Sequence, residues 1–333
     1  MENTRREFLK KMIASTAAIG LAPIMNSCGD LNAAGIPQRQ LGKTGKKVGI
    51  YSFGAQATSE IPGKSEQSIE IINRAIDLGI NYIDTAAAYG RATETVEKKD
   101  AMGTSERNVG QVLKTRRDEV FLASKTHDRT YDGSMRLLEQ SLKNLQTDHL
   151  DLWQIHNVKK REMETMDEMF TDTGVIKAME KARDEGMVKF IGCTGHEDAL
   201  VLRTLIERYP FDNILMAVNA ADKHYDSFID KLMPTAVEKD MGVVAMKIPA
   251  RDRIFSDGGI ITMKEALEYV MTLPISTAIV GIDNIPELEE NVKIATEFSG
   301  LSEDEMLAIE DKTHPYFEDL MFFKGLSEWP PDW

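Results

Sequence analysis

Four residues of this sequence could together move a proton at a carbon–oxygen bond: Asp84, Tyr89, Lys125 and His156. Three of them close short β-rich runs at 82–85, 120–124 and 150–155, and Tyr89 stands in the loop after the first of these. A tyrosine beside a lysine cation makes a general acid, because the cation favours the phenolate and lowers its pKa from about 10. A buried lysine needs a counter-charge, which Asp84 is placed to provide. His156 can orient or polarise a carbonyl oxygen. The set suits protonation of an oxygen that gains negative charge while hydride arrives at its carbon. Taken singly, Asp84 reads as a loop cap, Lys125 as a rim salt bridge and His156 as a satisfied core histidine. Their convergence at consecutive strand ends, with Tyr89 between, favours the joint reading.

That convergence requires elements that bring successive strand ends to one rim. β-Rich runs recur at 48–53, 82–85, 120–124, 150–155, 190–193, 214–218, 243–246 and 278–280. Helical patterns follow them near 66–78, 104–115, 132–145, 174–185, 198–208, 227–240, 262–272 and 286–298. In the third, Leu137, Leu138, Ser141, Leu142 and Leu145 form one stripe. Gly79, Gly186 and Gly242 sit where helices should stop. Strict strand–helix alternation predicts a parallel sheet. Eight units over about 250 residues fit a closed α/β (β/α)8 TIM barrel, with its active site at the strand C-termini. No GxGxxG follows the first strand, which argues against a doubly wound dinucleotide fold. Before the barrel, residues 39–48 read as an N-terminal β-hairpin turning at Lys43-Thr44-Gly45-Lys46. After it, 302–333 read as an extra helix and a tail ending Trp329-Pro330-Pro331-Asp332-Trp333. Trp153 alternates with Gln154 and His156, so it should point outward into the core.

The 333 residues carry a formal charge of −14, are 42% apolar and contain two cysteines. This excludes a disordered chain and a disulfide scaffold. Nucleic-acid binding needs clustered Lys and Arg and is not expected. Cys28 and Cys193 belong to no metal-ligand spacing, and no metal site is expected. At the N-terminus, Thr4-Arg5-Arg6-Glu7-Phe8-Leu9-Lys10 precedes a weakly apolar run over 12–25, too short to span a bilayer, which needs about 20 residues. The segment resembles a twin-arginine export signal. Cys28, preceded by Ser27, resembles a lipoprotein cleavage and lipidation site. The expected organisation is a signal peptide over 1–27, a tether over 28–38 and the barrel over 39–333. The resemblance implies the twin-arginine translocation machinery as a partner, a periplasmic location and membrane contact only through a lipid anchor.

At the catalytic candidates the chain resembles the aldo/keto reductase superfamily. The matching segments are Tyr82-Ile83-Asp84-Thr85-Ala86 with Tyr89-Gly90, Leu122-Ala123-Ser124-Lys125 and Asp151-Leu152-Trp153-Gln154-Ile155-His156. Ile191-Gly192-Cys193-Thr194 and Leu288-Glu289-Glu290-Asn291 match as well, so the likeness covers roughly 39 to 300. It implies an oxidoreductase that moves hydride between NAD(H) or NADP(H) and a small-molecule carbonyl or alcohol. Tyr89 would be the acid/base, with Lys125 and Asp84 tuning it and His156 guiding the substrate.

The cofactor segments depart from that pattern. Thr194-Gly195-His196 stands where Ser-Asn usually holds the carboxamide, and Asn219 is the nearest candidate for a strand-6 Gln. Between Gly281 and Glu290-Asn291, which suit the adenine end, there is no basic residue. Asp283 and Glu287 would repel a 2′-phosphate, whereas a carboxylate accepts hydrogen bonds from ribose hydroxyls. The expectation is therefore a preference for NAD(H), or a cofactor held without reading the 2′ position, unless Lys247, Arg251 or Arg253 takes the phosphate. Pyrophosphate is expected over the loop carrying Lys247 or at the last helix start. The polar loop over 91–103, directly after Tyr89-Gly90, favours a hydrophilic, sugar-like substrate if it borders the pocket, and is otherwise a solvated loop. Two other readings stay open: a bound NAD recycled within one turnover, and a nucleotide-binding redox-sensing accessory protein.

Overall fold

Alternation with a period of two puts every second residue of a strand on one face, and a parallel sheet needs both faces covered. The computed structural model describes residues 30–328 and resolves this need by closure. Eight parallel strands form a barrel in the order β10-β3-β4-β5-β6-β7-β8-β9. They are β3 (Tyr51–Ala57), β4 (Tyr82–Asp84), β5 (Phe121–Thr126), β6 (Leu150–Ile155), β7 (Val188–Gly195), β8 (Asn213–Ala217), β9 (Gly242–Met246) and β10 (Thr277–Ile282). Helices α1 (Ser65–Asp77), α2 (Lys98–Ala101), α3 (Thr104–Arg116), α4 (Tyr131–Leu145), α5 (Val175–Asp184) and α6 (Ala199–Arg208) occupy the connections from β3 to β8. Then come α7 (Phe228–Lys231), α8 (Met233–Glu238), α9 (Met263–Thr272), α10 (Ile285–Thr296), α11 (Glu303–Thr313) and α12 (Phe317–Leu320). The (β/α)8 barrel expected from the sequence is thus the observed fold. The signal segment 1–27, Cys28 and Trp329–Trp333 lie outside the described residues.

Two hydrophobic cores follow from the alternation. The larger lies between strands and helices and contains Trp153, fully buried and outward as expected. The smaller fills the lower barrel with Tyr82, Phe121, Ala123, Leu152, Leu215, Val244 and Ile279, joined by Leu41 and Val48. Those last two come from the hairpin, in which β1 (Gln38–Gln40) pairs antiparallel with β2 (Lys47–Gly49). The hairpin therefore plugs the amino end of the barrel and leaves the carboxyl end open for chemistry.

Local differences from the sequence reading have physical causes. The first β run is two strands, β2 and β3, because Lys47–Gly49 pairs within the hairpin and the barrel strand begins at Tyr51. The expected helix over 227–240 breaks into α7 and α8, where Pro234 starts a new turn. After α8 the left-handed residue is Asp240 (φ 50°), not Gly242. Gly242 opens β9, and a Cβ there would lie 2.7 Å from Leu41 Cδ1. Residues 31–38 are not a tether, because they are built into the barrel. Leu31 bridges Pro37, Ile36 is fully buried, and Asn32 Nδ2 donates to the Gly79 carbonyl at 2.7 Å. At the other terminus α11 starts with a capping box made by Ser302 and Glu305. The segment beyond it docks at the carboxyl end of the barrel. Lys324, 8% exposed, donates to Asp222 Oδ1 at 2.7 Å and to the carbonyls of Tyr225 and Asp226.

Arg39 secures the hairpin. Its guanidinium donates to the carbonyls of Met271 (2.7 Å), Leu273 (3.0 Å) and Ile275 (2.9 Å) at the end of α9. Replacing it with methionine leaves three carbonyls without that donor. Arg39→Met should lower the unfolding free energy by about 2–4 kcal/mol in urea denaturation. An unchanged midpoint would show that the hairpin is held by its apolar plug alone.

Candidate active site

At the carboxyl end the inward positions turn from apolar to polar. Asp84 stands two residues beyond Tyr82 on β4, Lys125 two beyond Ala123 on β5, and Gln154 two beyond Leu152 on β6. Lys125 and Gln154 are direct register partners. Asp84 and Lys125 are each 1% exposed. The Lys125 ammonium donates to Asp84 Oδ1, to the Thr85 carbonyl at 2.8 Å and to Tyr89 Oη at 3.2 Å. Gln154 Nε2 donates to the other Asp84 oxygen at 3.3 Å. All three ammonium hydrogens are thereby directed. Tyr89 Oη accepts from Lys125, so its own hydrogen must point elsewhere, and the open direction is the cavity.

The cavity, of about 160 Å³, is lined by Tyr89, Lys125, His156, Thr194 and Lys247. Asp84 lies directly beneath Lys125. The structure thus brings the four catalytic candidates together, with the Tyr89 and His156 rings edge to face at 5.6 Å. It also adds residues that sequence reasoning did not single out: Gln56, Glu60, His196, Leu215 and Met246. Gln56, Glu60, His196 and Met246 stand near strand ends or in the loops that follow, and Leu215 lies inside β8. Arg91 and Lys98 line the cavity too, so the 91–103 loop borders the pocket.

Burial dominates the electrostatics. It pulls the Lys125 amine below its usual value and pushes Asp84 up, while their direct contact opposes both shifts. Tyr89 is the instructive case. Its phenol lies well above the ordinary value, first through burial and then through the carboxylates of Asp84 and Glu60. The expectation that Lys125 lowers this pKa is corrected: burial, and after it the two carboxylates, raise it instead. The phenol is held protonated, as a proton donor must be. Burial and the neighbouring Lys125 hold His156 well below the usual imidazole value, so the ring is neutral and carries one N–H. His196, 7% exposed, is pushed down to about 3 by burial and Lys247.

The expected cofactor residues divide in two. Thr194 and Lys247 line the cavity. Thr194 Oγ1 accepts from the Asn157 amide at 2.7 Å, so its hydroxyl hydrogen can serve a carbonyl. Burial and Arg251 lower the Lys247 amine to about 7. Asn219 does not line this cavity. It is 1% exposed, donates to the Lys247 carbonyl at 3.1 Å and accepts from the Ala221 amide at 3.0 Å. Asn291 turns into the barrel wall, donating to Tyr51 Oη at 3.3 Å. Gly281, Asp283 and Glu290 are exposed around the start of α10. That start is already occupied by protein: Glu287 accepts from the Asp283 amide at 3.1 Å, and Asn284 caps Glu287 N at 3.1 Å. Arg253 is engaged by the C-terminal segment, through Asp319 at 3.0 Å and the Phe322 ring at 4.9 Å. Among the described residues no cluster of three or more His, Cys, Asp or Glu could hold a metal.

Comparison with known proteins agrees with this fold. Residues 48–251 match the model of the aldo/keto reductase family. L-galactose dehydrogenase of Arabidopsis thaliana is 26% identical over 311 residues, covering 81% of this chain and 91% of that protein. The holo form of an aldo-keto reductase from Bacillus halodurans has a TM-score of 0.67 at 24% identity, over 83% of this chain and 96% of that one. The aldo/keto reductase of Klebsiella pneumoniae, solved with NADP and acetate, has a TM-score of 0.64 at 24% identity, over 82% and 94%.

The buried neutral His196 makes stability depend on pH. Unfolded histidine titrates near ~6.5. Between that value and the folded value of about 3 the unfolded chain holds more protons. Stability therefore falls as pH drops through this window, and His156 acts in the same sense. His196→Gln should flatten the fall, read as urea midpoints at about pH 7.5 and about pH 5. Equal pH slopes in both proteins would mean that His196 is not buried neutral.

Proposed function

The chain belongs to the aldo/keto reductase family and is an NAD(P)-dependent oxidoreductase, and from that premise we propose the reaction and its residues. The reaction is hydride transfer between a nicotinamide cofactor and the carbonyl or alcohol carbon of a polar, sugar-like substrate, with Tyr89 as general acid/base. One observation carries this reading: Lys125 donates to Tyr89 Oη at 3.2 Å, from an ammonium bound beneath by Asp84.

The donor set fits a nicotinamide cofactor. The Thr194 hydroxyl would serve the carboxamide, and Lys247 would face the phosphates. When bound, the nicotinamide supplies or accepts hydride. Everything else is done by the chain. Neutral His156 turns its N–H towards the substrate oxygen and fixes the carbonyl over the cavity floor. Tyr89 gives its proton to that oxygen as negative charge develops there, and C=O becomes CH–OH. Lys125 stabilises the phenolate left behind, and Asp84 keeps the lysine charged. In the oxidative direction the phenolate takes the proton back. A sugar-like substrate is supported by the polar lining and by the L-galactose dehydrogenase relative.

We further propose NAD(H) as the preferred cofactor. The Klebsiella pneumoniae relative holds NADP. Here Asp283 and Glu287 stand at the start of α10, and the Asp252 carboxyl is held above its usual range first by burial and then by the charges of Glu287 and Asp283. A 2′-phosphate dianion in that neighbourhood meets carboxylates rather than cations. Export by the twin-arginine route, with Cys28 lipidated and the protein periplasmic, stays part of this proposal and is supported by the sequence of residues 4–28.

Tyr89→Phe should lower kcat for carbonyl reduction by about 100-fold or more with cofactor affinity unchanged. Turnover within a factor of about two of the wild type would remove Tyr89 from its role. In fluorescence titrations NADH should bind about tenfold or more tightly than NADPH. Tighter NADPH binding would overturn the reading of Asp283 and Glu287.

A further inference from the structure

A nicotinamide carboxamide asks for two partners, a donor to its carbonyl and an acceptor for its amino group. The Thr194 hydroxyl meets the first need, because its oxygen already accepts from the Asn157 main-chain amide and its hydrogen is left to give. The acceptor is missing where an asparagine would supply it, since residue 195 is glycine. No side chain fits there. A Cβ at Gly195 would lie 2.9 Å from Leu202 Cδ1 and 2.9 Å from the Val158 carbonyl oxygen. The loop after β6 thus fills the space that a side chain at 195 would take. It is tied down by the Val158 amide, which donates to the Thr194 carbonyl at 2.7 Å. Asn219, the other candidate amide, is committed to the backbone of Ala221 and Lys247.

The same loop carries Asn157, which lines the cavity together with Thr194. Its backbone is fixed on both sides. The main-chain amide donates to Thr194 Oγ1 at 2.7 Å, and the carbonyl accepts from the Arg129 guanidinium at 3.5 Å. That guanidinium also donates to the His156 carbonyl at 2.9 Å and is itself held by Glu162. Between these ties Asn157 has a φ of 53°, a conformation that asparagine tolerates better than most residues. The side chain, by contrast, is uncommitted: Oδ1 is buried and has no hydrogen-bond partner. A buried acceptor left unpaired is costly. In a residue that lines a cavity, a donor arriving with a ligand accounts for it. The χ2 torsion of asparagine is soft, so the amide can turn its oxygen to meet that donor. Because the main-chain amide of Asn157 is bonded to Thr194 Oγ1, its side chain stands beside that hydroxyl.

We propose that Asn157 is a cofactor-binding residue, whose Oδ1 accepts from the nicotinamide carboxamide while the Thr194 hydroxyl donates to it. The proposal rests on the oxidoreductase reading above and names the residue that reads the reactive end of the cofactor. The amide absent at 195 is thereby supplied from the neighbouring strand end, one residue after His156. A carboxamide held through both of its groups sets the rotation of the ring that bears it.

The experiment titrates the full chain calorimetrically with NAD+ and with acetylpyridine adenine dinucleotide, in which a methyl group replaces the amino group and the carbonyl stays. The unaltered protein should bind NAD+ about tenfold or more tightly than the analogue, which leaves Oδ1 unpaired. Asn157→Gly removes the acceptor at a position whose positive φ glycine adopts freely, and should reduce that preference to within about threefold. Asn157→Asp keeps an acceptor oxygen there and should retain most of the preference. Equal binding of the two dinucleotides by the unaltered protein, or a preference kept by Asn157→Gly, overturns the proposal and leaves the oxidoreductase reading standing. A preference lost equally in both variants would trace the effect to the loop backbone and overturn it as well. An unaltered protein that binds neither of these dinucleotides nor NADP+ overturns the oxidoreductase reading, and this assignment with it.

Discussion

The buried contact between Lys125 and Asp84 is the constraint around which the site is arranged. Two opposite charges removed from water each carry a desolvation cost of several kcal/mol. They persist only in contact, with remaining donors and acceptors matched. Here Lys125 has Thr85 and Tyr89 for its other hydrogens, and Asp84 has Gln154 for its second oxygen. Because these partners come from β4, β5, β6 and the β4–α2 loop, the pair also holds their register against one another. One ion pair thereby fixes the direction of the tyrosine proton.

A barrel supplies this environment through its layering. The lower layers are closed by aromatic and aliphatic side chains and by the hairpin residues Leu41 and Val48. Water cannot reach the ion pair from below, so solvent, substrate and cofactor must all meet it from the carboxyl rim. The seal at the amino end is therefore part of the chemistry at the other. Phe323 adds a wall at the rim itself, edge to face with His196 at 5.9 Å, from a segment that Lys324 anchors.

Strand–helix alternation and four chemically matched residues were legible in the sequence because both are local patterns. Alternation shows the face of each residue, and topology then places strand ends together. What the sequence hid was competition for the same atoms. Asn219 and Asn291 have the right amide for a cofactor, yet backbone and Tyr51 partners engage them. The rise of the Tyr89 pKa is hidden in the same way, since burial, its largest cause, and the nearby Asp84 and Glu60 carboxylates arise only in the folded chain. Glu60 was invisible because its importance comes from Arg91, 31 residues away, and from burial that no periodicity announces.

Backbone strain marks the same rim. Non-glycine residues with positive φ include Ala57 at the end of β3, Asn157 after β6, and Lys247, Ala250, Arg251 and Asp252 after β9. Each such conformation costs about 1–3 kcal/mol and persists only where surrounding contacts over-determine it. Three of the barrel's carboxyl-end loops bear that cost, and each carries or adjoins a cavity residue: Gln56 and Glu60, His156 and Asn157, Met246 and Lys247. The strain is thus the counterpart of the ion pair. The pair makes the barrel floor rigid, and the strained turns aim the polar groups above it at a common point, where a carbonyl oxygen, its proton donor and its hydride source have to meet.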